Sequence, residues 1–126
     1  MPTDSDVLTI VWGDRSEITL TDIKDTDGSD VDLSTGTLVF TAMAREDSTE
    51  AVFVKTPDDE TDPIEYSEDE TNAATVFINA NDLSELPNAH QYLYAESRFW
   101  RDGDASTPQR FILRVVPGLG TDPDAS

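Results

Sequence analysis

The chain contains no cysteine, which removes disulfide frameworks, thiolate metal sites and cysteine nucleophiles together. Cations are scarce: 8 Lys plus Arg stand against 27 Asp plus Glu, a net charge of -19 on 126 residues. Two of those cations are lysines, Lys24 and Lys55. Nucleic acids and anionic membranes are held by clusters of Lys and Arg, so neither is an expected partner. Apolar runs are only a few residues long, too short for a membrane helix. Residues 1–6 lack the basic start and following apolar stretch of a secretory leader, and synthesis in the cytoplasm is the expectation.

Catalytic signatures are missing too. The sequence has no G-x-S-x-G, no phosphate-binding loop and no dinucleotide fingerprint. His90 is the single histidine, and with no legible partner it reads as a surface or interface residue. A zinc site would need His90 plus carboxylates, an uncommon ligand set. Paired carboxylates are so abundant that they lose diagnostic value, and a sugar-cleaving pair would need a cleft that a small sandwich has little material to build. No enzyme and no cofactor are expected.

What is present is acid, spread through nearly every turn. At ordinary ionic strength such self-repulsion destabilises a compact state. At ~1 M salt the Debye length falls to ~3 Å and the repulsion is largely screened. The charge therefore reads as adaptation to a salty cytoplasm. The densest run, Asp25, Asp27, Asp30 and Asp32, invites comparison with a calcium loop. Ser29 stands at the fifth loop position, Asp30 where glycine belongs and Gly36 where a bidentate Glu is needed. It reads as an acidic turn, offering at most weak sites for Ca²⁺, Mg²⁺ or Na⁺.

Between the polar turns lie the runs VLTIVW, TLVFTAM, AVFV, TVFI, YLYAESRFW and RFILRVV. Period-2 alternation, β-branched residues and regular turn signals predict a single all-β domain, an Ig-like antiparallel β-sandwich of seven or eight strands. The strands are expected at 7–12, 17–22, 37–44, 51–56, 74–79, 90–101 and 109–116, with a short edge strand at 63–66. Residues 58–72 carry eight acids and Pro63 and read mainly as a solvated loop. Residues 81–86 read as one helical turn, capped by Asn81 or Asp82 and stopped by Pro87. The domain is expected to span 7–117, between a flexible arm (1–6) and a flexible tail (118–126).

The strand 90–101 carries large rings at both parities. Tyr92, Tyr94, Glu96, Arg98 and Trp100 share one face, and Leu93, Ala95, Ser97 and Phe99 share the other. Either face can be the core. If the first is exposed, its Tyr, Trp and Arg suit a protein–protein contact. The six arginines against two lysines fit bidentate pairing with carboxylates of neighbours. The candidate contact residues are Tyr92, Tyr94, Arg98, Trp100, Arg101, Arg110 and Arg114, with the loop 102–108 and the two ends. An exposed Trp12 or Trp100 would instead offer a stacking platform for a carbohydrate.

The order of features resembles a known family. An opening strand runs into Gly13-Asp14-Arg15 and an alternating strand to Leu20. Then comes Thr26-Asp27-Gly28-Ser29-Asp30-Val31-Asp32-Leu33-Ser34-Thr35-Gly36-Thr37-Leu38-Val39-Phe40, an Asp-Leu-Ser/Thr turn leading into a strand. Asn81-Asp82-Leu83-Ser84-Glu85-Leu86-Pro87 is followed by Tyr92-Leu93-Tyr94, and the strand at 111–116 runs into Pro117. Together these resemble the small tail proteins of tailed viruses related to the N-terminal domain of the phage baseplate upper protein. Departures are Asn88-Ala89-His90, where the family has a single Gly, and the long acidic stretch 58–72. The resemblance implies a non-catalytic virion structural protein, a multi-copy adaptor in the tail or baseplate whose partners are other virion proteins and copies of itself. With the salt signature, it implies a virus of a halophilic archaeon. A capsid decoration protein and a carbohydrate-binding module are the alternatives.

Overall fold

The computed structural model describes residues 5–24, 28–45, 50–60, 62–105 and 109–118. Among them nine strands form two sheets. They are β1 (Ser5–Val11), β2 (Ser16–Leu20), β3 (Thr37–Met43), β4 (Ala51–Lys55), β5 (Glu65–Tyr66), β6 (Ala74–Ile78), β7 (Gln91–Arg101), β8 (Asp104–Ala105) and β9 (Gln109–Val116). The large sheet runs β1-β9-β7-β3-β4, with β8 paired to the end of β7, and the small sheet runs β2-β6-β5.

This connectivity is that of an Ig-like sandwich. The small sheet has the B-E-D order, and β9-β7-β3-β4 has the G-F-C-C′ order of a variable-type domain. One pairing departs from the all-antiparallel expectation. Strand β1 runs parallel to β9, from Ser5 against Arg110 to Val11 against Val116. That pairing starts β1 at Ser5, so Ser5 and Asp6 belong to the sheet and not to an arm. The chain then leaves the large sheet through Trp12-Gly13, where Gly13 takes φ 89, a conformation open to glycine without a Cβ penalty.

Alternation puts one set of side chains inside. Leu38, Phe40 and Ala42 of β3 are buried, as are Ile18 and Leu20 of β2 and Ala74, Val76 and Ile78 of β6. From β7 the inward set is Leu93, Ala95, Ser97 and Phe99, and from β9 it is Leu113 and Val115. Phe40 sits between Phe53 and Phe111, with ring centroids 6.2 and 6.1 Å away. Such ring pairs add roughly 0.5–1.5 kcal/mol beyond area burial.

Two short 3₁₀ turns close the open ends. Leu33–Thr35 is capped by Asp32 and buries Leu33; Ala80–Leu83 buries Leu83. The second is capped by Asn79, not by Asn81 or Asp82. The Asn79 side chain accepts from Asp82 N–H at 3.1 Å, and the Asp82 carboxylate accepts from Asn79 N–H at 2.8 Å, a reciprocal box that satisfies two terminal donors. Across the sandwich, the Tyr66 hydroxyl accepts from Leu38 N–H at 3.1 Å and donates to Gly36 C=O at 3.4 Å. That links the small sheet to the start of β3. No helix among the described residues is long and apolar enough to cross a membrane.

Candidate interaction face

With Leu93 and Phe99 inside, the opposite parity of β7 faces outward, and the pairing registers decide what surrounds it. Tyr94 stands opposite Met43 on one side and Ile112 on the other, and Ile112 stands opposite Val7. Those four side chains form an apolar row across four strands. Beside it runs Thr9, Arg114 and Tyr92. On the other side run Arg110, Glu96, Thr41 and Val54, then Arg98 with Val39, then Trp100 with Thr37.

Several of these are left in water. Val7 is 59 % exposed, Tyr92 58 %, Val54 48 % and Trp100 43 %. Large apolar groups scattered singly need no explanation, but a contiguous set on one sheet face marks a contact surface.

The charge on this face is as distinctive as its apolarity. In a chain with 27 Asp plus Glu, the one acid at a described outward position of β1, β9, β7, β3 and β4 is Glu96. Three arginines share the face. Arg98 Nη2 lies 3.4 Å and Arg110 Nε 3.8 Å from Glu96 Oε1, while Arg114 is exposed with no ion pair among the described residues. Exposed pairs of this kind contribute about 0–1 kcal/mol each. They orient the guanidinium groups more than they stabilise the fold. Arg98 Nε is buried without a hydrogen-bond partner.

A polar seam on another flank does different work. Lys55 is only 3 % exposed, because its place in β4 shares the inward parity of Phe53. Its Nζ lies 2.8 Å from Asp82 Oδ2. Next to it, Asp62 Oδ2 accepts from Asn79 Nδ2 at 2.9 Å, and Asp62 Oδ1 accepts from Arg15 Nη2 at 3.1 Å. The Asn79 hydrogen bond first, then that of Arg15, holds the Asp62 carboxyl below the usual carboxylate range. Arg15 also lies 4.3 Å over the Phe77 ring, a cation–π contact. The seam ties β4, the second 3₁₀ turn and the β1–β2 connection together.

Six of the seven contact residues expected from the sequence share the outward face: Tyr92, Tyr94, Arg98, Trp100, Arg110 and Arg114. Arg101 does not. It is at the end of β7 with the opposite parity, and its Nη1 donates to Thr35 Oγ1 at 3.4 Å. Trp12 is no platform either, because it is half-buried against the core and its Nε1 donates to Leu86 C=O at 2.9 Å. His90 is exposed beside β7.

Of the acidic turn, Asp30 pairs with Lys24, and Asp32 accepts from Ser34 Oγ at 2.6 Å and Ser34 N–H at 3.0 Å. Asp25 and Asp27 lie outside the described residues, as do 106–108 of the 102–108 loop, residues 1–4 and residues 119–126. Gly118 is tied down through its N–H to Asn88 Oδ1 at 2.9 Å. Among the described residues no three His, Asp or Glu side chains gather into a group able to hold a metal ion.

The sequence reading missed Lys55 and the breadth of the face. A lysine at the inward parity of AVFVK was the available signal for the first. For the second, Val7, Met43, Val54 and Ile112 lie on four strands that only the pairing brings together.

No family model matches the chain, and no curated protein matches it. Among solved structures with some likeness is murine CRIg, at 10 % identity and a TM-score of 0.40, covering 88 % of this chain and 91 % of that one. A likeness that slight carries no argument about function.

Proposed function

We propose that this protein is a non-catalytic assembly domain that holds neighbouring proteins through the outer face of its large sheet. The observation that carries this is the concentration of exposed Tyr92, Trp100, Val7 and Val54 with three arginines on one face of an otherwise acid-coated sandwich. Buried aromatic and arginine anchors supply most of the binding energy in protein contacts.

Five strands about 4.8 Å apart, with Tyr92 and Trp100 eight residues apart at ~3.3 Å each, span roughly 19 by 26 Å between backbone centres. A flat face of that extent suits one neighbour at a time, and repetition in a symmetric particle multiplies each such contact. The resemblance to baseplate-related tail proteins and the acid-rich composition support a role as a multi-copy structural adaptor in a tailed virus of a halophilic archaeon.

Fractionation of disrupted particles into heads and tails, followed by detection of the chain with an antibody, tests this reading. Recovery with tails supports the adaptor role, and recovery with heads makes it a decoration protein using the same face. Absence from particles overturns the virion reading.

A further inference from the structure

The chemistry of the outward face also restricts what occupies it. If two copies met face to face, each would bring Arg98, Arg110 and Arg114 against the other's arginines. Glu96 would be the one carboxylate to answer them, and it is already shared by two. Like charges juxtaposed across an interface cost several kcal/mol. The carboxylates that satisfy this face must come from a different surface.

The chain carries such a surface on its other side. Glu65 stands at an outward position of the small sheet opposite Thr75, and Glu17, opposite Phe77, lies 3.8 Å from Arg15 Nη1, a cation on that side; both glutamates are exposed. Exposed Glu68, Asp69 and Glu70 follow in the turn between β5 and β6. That turn is ordered: Ser67 N–H donates to Ala73 C=O at 2.9 Å, and Ser67 Oγ accepts from Asp69 and Glu70 N–H at 3.1 and 3.2 Å. One copy thus bears both halves of a complementary pair, on opposite layers of the sandwich.

Resting on the docking reading above, we infer that the face is occupied by the acidic small-sheet side of a second copy of this chain, in a head-to-tail contact. A contact between unlike surfaces does not close on itself as a dimer; it propagates into a ring or a filament. Salt permits it. In dilute buffer the repulsion between two chains of charge -19 extends over tens of ångströms. At ~1 M salt it shrinks to ~3 Å, so that touching Arg–carboxylate pairs and the apolar row decide the outcome.

Sedimentation velocity on the full chain, from ~0.1 to ~3 M KCl, tests the inference with two variants at exposed positions. R110E/R114E makes the face acidic, and E65K/E68K makes the opposite side basic. Circular dichroism and thermal unfolding check that both fold. Wild type should be monomeric at low salt and pass beyond a dimer at high salt. Each variant alone should stay monomeric, and the two mixed should regain high-salt assembly, because every junction then pairs opposite charges. A discrete wild-type dimer indifferent to E65K/E68K, or no rescue on mixing, overturns the inference. If wild type stays monomeric at every salt while a photo-crosslinker at Tyr92 traps another protein, self-docking fails and the docking reading survives. Monomers that trap nothing overturn both.

Discussion

Lys55 Nζ meets Asp82 Oδ2 at 2.8 Å, with the two side chains 4 % and 15 % exposed. It joins the edge strand of the large sheet to the turn that follows the last strand of the small one. Removing one member of such a pair leaves an uncompensated buried charge, at a cost of about 3–5 kcal/mol. Replacing both members, as in K55M/D82N, leaves no stranded charge and keeps the packing, at the cost of a weaker acceptor for Asn79 N–H. Denaturant unfolding in concentrated KCl should therefore place K55M/D82N close to wild type and K55A well below both. Burial shields this pair from salt, so the ranking should persist across salt concentrations. Equal stability of K55A and wild type would show that the pair does not tie the sheets.

Gly36 is extended at φ -164, so its backbone conformation is open to any residue. Its constraint is space. A Cβ would lie 2.3 Å from Trp100 C=O and 2.6 Å from the Phe99 ring, and the carbonyl belongs to a paired strand that cannot yield. G36A should lose about 1–3 kcal/mol, the usual cost of overpacking, as a drop in melting temperature. The same change at Gly28, where a Cβ meets nothing within 4 Å but φ is 86, probes backbone strain alone.

The Asp32 carboxyl is held below its ordinary value of 3.8, first by the Ser34 hydroxyl and then by the Ser34 backbone N–H. Its carboxylate is favoured in the fold over the unfolded chain. The stability it contributes is present above the unfolded value and is lost as pH falls through the depressed folded one. NMR titration should give Asp32 a midpoint below 3.8, moving upward in S34A. The stability gap between S34A and wild type should be full at neutral pH and close in strong acid.

Substitution of Tyr92 and Trp100 separates docking from folding. Tyr92 is 58 % and Trp100 43 % exposed, so Y92S and W100S give up only the covered part of each ring and some strand propensity, and should each cost about 1–2 kcal/mol. F99A, one position from Trp100 but fully inside, should cost about 3–5 kcal/mol. Chemical denaturation of the three variants reads the contrast directly.

The alternation of Thr37–Met43 separates Leu38, Phe40 and Ala42 from Val39, Thr41 and Met43, but both sets are largely apolar, and it is the packing that puts the first set inside. Gln91–Arg101 poses the same difficulty more sharply. Tyr94 and Trp100 on one face match Leu93 and Phe99 on the other in apolar area, so only the pairing partners resolve which is core. The start of β1 was hidden because Ser5 and Asp6 are polar; their place in the strand comes from backbone bonds to β9, more than a hundred residues away. The Asn79 cap was missed because Asn79 closes a strand pattern, and its capping partner Asp82 had itself been given that role.

The role proposed for the outer face of the large sheet is to meet this protein's neighbours. A photo-crosslinking amino acid placed at Tyr92, with a matched one at exposed Ala89 beyond the strand end, tests it in producing cells lysed into concentrated KCl. The account requires specific adducts from position 92, lost when R110E/R114E is added, and little or nothing from position 89. Equal trapping at the two positions, or adducts at 92 indifferent to the arginines, would contradict it.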